Sequence, residues 1–166
     1  MSILNLPVTE GTVLALSGAV IAMGAAGLAT AFGVKAAGIA GAGAVAEKKE
    51  NFKNALILQA LPQTQTVYAF ITSLLILMGA GLLGGGIREL TIWQGLSMFC
   101  AGLIVGITGI SAIMQGMVAA AGIVSTTKNP DAFAPALVFG GQCETPAIFG
   151  FIVALILLVV GLGVLG

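Results

Sequence analysis

The 166-residue chain contains no histidine, and only 7% of its residues are charged. So little charge cannot cover a globular surface with polar groups. With 58% hydrophobic residues and a mean hydropathy of +1.14, the chain must use lipid as its solvent. Basic and acidic residues balance at six each, and a net charge of zero argues against a nucleic-acid partner. There are two cysteines, Cys100 and Cys143, whose spacing suggests neither a disulfide nor a metal site. Both read as small apolar core residues. Without histidine or clustered thiolates a transition-metal site is disfavoured. Aromatic residues make up 6%, too few for the aromatic-walled cavity that a small proton-coupled secondary transporter needs.

The few charges fall in short segments that mark loops. Between them lie four long apolar stretches, residues 11–46, 52–83, 91–127 and 132–165. Each exceeds the roughly 20 residues needed to cross about 30 Å of hydrocarbon at about 1.5 Å per residue. The sequence therefore predicts an all-α membrane protein with four transmembrane helices in two hairpins. Residues 1–10 carry no basic region, and the apolar run that follows has no cleavage pattern, so no removed signal peptide is expected. Lys48, Lys49 and Lys53 flank the first hairpin turn and Lys128 the second, with only Arg88 on the opposite side. The excess of lysine places both hairpin loops in the cytoplasm and both termini outside. Lys35 can extend its stem to the cytoplasmic interface, and Trp93 and Arg88 read as anchors at the outer one.

The two halves are copies. Residues 55–77 laid over residues 136–158 pair Ala55 with Ala136, Thr64 with Thr145, Phe70 with Phe151 and Leu77 with Leu158, without a gap. Residues 1–87 thus form one hairpin repeat and residues 88–166 a second. Both run in the same direction, unlike the inverted repeats of many secondary transporters. The first helix carries Gly18, Gly24, Gly27, Gly33, Gly38, Gly41 and Gly43, a density that suits close packing in a crowded interior. Helices two and four, richer in Leu, Ile, Val and Phe, suit an outer layer facing lipid.

Glu144 is the only acidic residue deep within an apolar stretch. An ionised side chain there costs about 2.5 to 3.5 kcal/mol on insertion scales, so it needs a compensating partner or a proton. Gln65, Gln115 and Glu144 all lie at one level, roughly 18 to 20 Å from the cytoplasmic charges. On helix two, Leu61, Thr64, Gln65 and Tyr68 share a face at i, i+3, i+4 and i+7. Carboxylate, amide carbonyls, hydroxyl and main-chain carbonyl are all oxygen donors, the set that suits a hard cation such as sodium. Pro62 and Pro146 lack an N–H and should leave the carbonyls of Leu58 and Gln142 without their helical partners. Gln59, Gln63 and Gln142 read as structural or interfacial. In the repeat alignment Gln63 stands in the place of Glu144, so each chain keeps one carboxylate.

These motifs together, Leu61-Pro-Gln-Thr-Gln-Thr-Val-Tyr68, Gln115-Gly-Met-Val-Ala-Ala-Ala-Gly122 and Glu144-Thr145 on two tandem hairpins, resemble the proteolipid, or K/c, rotor subunit of V-type rotary ATPases. The resemblance covers nearly the whole chain and is nearest to the bacterial sodium-translocating branch. It implies a sodium site at Leu61, Thr64, Gln65, Gln115 and Glu144, with Tyr68 hydrogen-bonded to the carboxylate. It also implies a homo-oligomeric ring in the bacterial plasma membrane, turned by ATP hydrolysis on cytoplasmic subunits, so the chain itself is not an enzyme. The expected partners are central-stalk subunits and a stator subunit that supplies an arginine. Gln63, where a glycine is expected, and Thr145-Pro146 depart from the family pattern. A proton needs only the carboxylate, so loss of one oxygen ligand would convert a sodium carrier into a proton carrier. A purely structural pore or junction protein leaves the polar residues at one level unexplained.

Overall fold

The computed structural model describes residues 8–83 and 86–162. The chain ends, on which the expectations about a signal peptide, the position of the termini and the end of the fourth apolar stretch at residue 165 bear, lie outside the described residues. Four helical spans long and apolar enough to cross a membrane run over Glu10–Glu47, Lys49–Gly79, Ile92–Lys128 and Pro130–Gly161, as the hydropathy pattern predicts. Only the first is one continuous α-helix, α1 (Glu10–Glu47). The second divides into α2 (Phe52–Ala60) and α3 (Thr64–Gly79), the third into α4 (Ile92–Thr108) and α5 (Ser111–Lys128), and the fourth into α6 (Phe133–Gln142) and α7 (Thr145–Gly161).

Local chemistry sets the ends. Thr9 caps α1 by accepting the Thr12 N–H, and Thr91 with Gln94 forms a reciprocal capping box at the start of α4. The second span stops at Gly81, whose φ of +81° only glycine adopts without strain. There the N–H groups of Gly81 and Leu82 return to the carbonyls of Met78 and Leu77, closing the helix end.

α1 packs along its length against both halves of the third span. The seam is built of glycines. Gly95, Gly102, Gly109 and Gly116 recur at seven-residue intervals on the third span. A methyl group added at Gly95, Gly102 or Gly116 would overlap the backbone of Gly11, Gly18 or Gly33 respectively, and one at Gly109 would overlap Ala26. A seven-residue period keeps one stripe turned toward the partner helix. Lipid tails are as apolar as leucine, so such close approach, with its van der Waals contact, supplies the attraction between spans. The core on either side is correspondingly small-chained, including Ala15, Ala19, Ala26, Ala37, Ala101, Ala112 and Ala119.

Of the glycines on α1, Gly11, Gly18 and Gly33 belong to this seam and Gly38 and Gly41 lie against Gln59 and Ala55 of α2. Gly24 and Gly43 have nothing within 4 Å and take no part in packing within the chain. The fourth span is the least buried, and large apolar side chains such as Phe139, Phe149 and Ile156 on it are exposed. Both cysteines are free and half-buried, outside the core that the sequence suggested for them.

Because the seam brings backbone against backbone, it cannot yield to a larger residue. Gly102→Val should destabilise the protein by at least the roughly 1–3 kcal/mol typical of overpacking, whereas Gly24→Ala should leave its stability nearly unchanged. Thermal unfolding followed by circular dichroism in detergent would compare them, and equal midpoints would contradict the seam.

Candidate functional site

The breaks in the second, third and fourth spans lie close enough for the side chains flanking them to bond to one another. In the second span, Pro62 sits inside a single 3-10 turn, Leu61–Gln63. The Leu58 carbonyl, expected to lose its partner there, instead accepts the Leu61 N–H. The tightened turn recovers the bond at shorter spacing. In the third span no proline is involved, and Ala112 and Ile113 donate to Gly109 and Ile110, three residues back. In the fourth, Cys143 and Glu144 donate to Gly140 and Gly141 in the same manner, which makes Glu144 the residue that leads into α7.

Around the first break the acceptors outnumber the protons. The Leu61 carbonyl accepts the Thr64 N–H, and the Thr64 hydroxyl lies 3.1 Å from that carbonyl and 3.2 Å from Gln65 Oε1. One hydroxyl carries one proton. It can serve one acceptor fully at a time, so three oxygens lie together with two protons among them.

Gln65 and Gln115 are both fully buried. Gln65 Nε2 donates to Gln115 Oε1 at 2.7 Å and to Ser111 Oγ at 3.4 Å, and Gln115 Nε2 donates to the Gly140 carbonyl at 3.0 Å. This chain of amides ties the second, third and fourth spans together. One helical turn further along α3, the Tyr68 hydroxyl donates to Glu144 Oε1 at 2.6 Å. The length is that of a short O–H···O bond. The Tyr68 ring stacks on Phe151 with centroids 5.2 Å apart and planes 20° from parallel, so the ring is held from the same span that carries the carboxylate.

The six residues singled out in the sequence thus form two adjoining groups. Leu61, Thr64, Gln65 and Gln115 make one, and Tyr68 with Glu144 the other. Among the described residues the carboxylate, half-buried, has no hydrogen bond to Thr64, Gln65 or Gln115. Three contributors escaped the sequence reading: Ser111, the Gly140 carbonyl and Phe151. Ser111 stands four residues before Gln115 and Phe151 seven after Glu144, each on the helical face of a residue already singled out, and that spacing was the available signal. Gln59 reaches the Val34 carbonyl at 3.4 Å, while Gln63 and Gln142 are exposed.

Comparison with known proteins gives a consistent picture. The sequence model of the ATP synthase C-subunit family matches residues 17–76 and 99–157, one stretch in each hairpin. The A-type ATP synthase subunit K of Methanocaldococcus jannaschii is 40% identical over 147 residues, which are 89% of this chain and 62% of that protein. The chain therefore spans less than two thirds of this relative. The V-type sodium ATPase subunit K of Enterococcus hirae is 38% identical over 144 residues, covering 84% of this chain and 88% of the relative.

The amide chain predicts non-additive mutations. Gln115→Leu would leave a buried Gln65 N–H and the Gly140 carbonyl short of a partner, at a cost of about 1–3 kcal/mol. Adding Gln65→Leu should cost less than the sum of the two single changes. A double-mutant cycle by thermal unfolding checks this, and strict additivity would show that the two amides do not interact.

Proposed function

Because the chain belongs to the ATP synthase C-subunit family, we propose that it is a membrane rotor-ring subunit of a V/A-type rotary ATPase and that it carries sodium by reversible binding at Glu144. The observation that carries the sodium reading is the cluster of three oxygens, Leu61 O, Thr64 Oγ1 and Gln65 Oε1, which share only the N–H and hydroxyl protons of Thr64, one turn along α3 from the tyrosine that bonds a carboxylate. Oxygen donors of this kind suit a hard cation. The name of the Enterococcus hirae relative, a sodium ATPase subunit, supports the same ion.

On this reading the site is Leu61, Thr64, Gln65, Gln115 and Glu144, with Tyr68 holding the carboxylate by its hydroxyl. When sodium is bound, the pair of Glu144 and the ion carries no net charge and can face lipid as a homo-oligomeric ring turns. The empty, ionised form is held back by the cost of burying a charge. Its partner must come from another subunit, since the one arginine of the chain, Arg88, lies in the connection between the hairpins. We assign that role to an arginine on a stator subunit. Central-stalk subunits would couple the ring to ATP hydrolysis elsewhere in the complex, and this chain is the non-hydrolytic, ion-translocating part. The two units are residues 1–87 and 88–166. The lysines at the hairpin turns set both loops in the cytoplasm and the termini outside, in a bacterial plasma membrane.

A second reading keeps the rotor role with a proton as the ion. It is favoured by the Glu144 carboxylate, which bonds Tyr68 and not the oxygen cluster. A proton requires the carboxyl group alone.

Either ion requires the acid. Glu144→Gln should abolish ATP-driven ion uptake into vesicles that contain the whole complex while the ring remains assembled on native gels. Uptake at the unaltered rate in that variant would rule out Glu144 as the carrier.

A further inference from the structure

A fully buried amide must place both of its N–H groups on acceptors, since an orphaned donor keeps its full desolvation cost. Gln65 meets this requirement entirely on α5, with Gln115 Oε1 at 2.7 Å and Ser111 Oγ at 3.4 Å. The two acceptors stand four residues apart, on one face of the helix, and so can address the same amino group. Gln115 is itself turned by the Gly140 carbonyl, which takes its Nε2 at 3.0 Å and leaves its oxygen for Gln65. With both hydrogens held on the third span, Gln65 presents its carbonyl oxygen to Thr64. An amide turned over by half a rotation fills the same volume. It would put two hydrogens where a cation needs an electron pair.

We propose that Ser111 is a positioning residue of the ion site. By accepting the second N–H of Gln65 it fixes which end of that amide faces the ion, and it thereby sets the preference for a bare cation. This rests on the sodium reading above. Ser111 is the one member of the orienting set that can be changed without removing a proposed ligand or a backbone carbonyl. Its place follows from the break between α4 and α5, where the three-residue bonds of Ala112 and Ile113 reset the start of the second half-helix.

The test is equilibrium binding of radioactive sodium to the purified assembly at alkaline pH, for the wild type, Ser111→Ala and Ser111→Thr. Loss of the acceptor in Ser111→Ala should weaken sodium binding about tenfold, within the range set by one unsatisfied buried donor. Ser111→Thr keeps an oxygen at the same place and should restore the wild-type affinity. In sodium-free buffer the rate at which dicyclohexylcarbodiimide modifies Glu144 should be the same in all three, a result that general loosening of the fold would not give. If Ser111→Ala does not assemble, Ser111→Cys, close in shape but a poor acceptor, takes its place. Wild-type sodium affinity in the variant lacking the acceptor overturns the role of Ser111 alone. Absence of sodium binding in the wild type overturns the sodium reading itself and, with it, this role.

Discussion

A carboxylate inside a membrane span must be neutralised by something, because leaving it ionised there costs about 2.5 to 3.5 kcal/mol on insertion scales. The arrangement around Glu144 follows from that requirement. A phenol donates to one of its oxygens from the neighbouring span at 2.6 Å, and a stacked Phe151 holds that phenol in place. One turn along α3 from that phenol, Leu61 O, Thr64 Oγ1 and Gln65 Oε1 lie together. On the sodium reading proposed above, the phenol would hold the acid and these three would give the cation further oxygens to bind.

Such a site needs polar groups from three spans at one level, and the backbone supplies them through its breaks. The second, third and fourth spans each interrupt their helical ladder near the site, whereas α1 runs unbroken and provides none of its side chains. Gly33 of α1 links the two features. It lies against Ala112 and Gly116 on the third span and against Pro62 in the break of the second, so that any larger residue would collide with both. The glycine seam therefore does more than attract two helices in a solvent that offers no hydrophobic drive. It holds α1 against the two spans that present Gln65 and Gln115.

Much of this was legible in the sequence. Hydropathy and loop charges gave four spans and two hairpins. Counting residues from those charges put Gln65 and Gln115 at a common level, and they bond across 2.7 Å. The break at Pro62 was readable because proline has no N–H to give. The break between Thr108 and Ser111 was not, since it contains no proline and arises where Gly109 meets Ala26 on a neighbouring helix. The fate of the Leu58 carbonyl also depended on geometry, because a local rule says only that a bond is lost and not that a 3-10 turn recovers it. Likewise a sequence names glutamines but not which way their amides point. Gly140 contributes through a main-chain oxygen that no residue type announces. The seven-residue recurrence of glycine along the third span was present in the letters, but its meaning came from the facing glycines of α1.

If Glu144 is the carrier of a sodium-driven rotor, a sodium ion must be able to take the place of a proton on it. Dicyclohexylcarbodiimide reacts with the protonated carboxyl, so its rate of modification of Glu144 in the purified ring, across a sodium titration at fixed pH with potassium balancing ionic strength, measures that exchange directly. Sodium should protect Glu144 in a saturable manner, and potassium should not. A rate that follows pH alone, indifferent to sodium, would contradict the sodium site and leave a proton carrier in which Gln65 and Gln115 serve only as hydrogen-bond support.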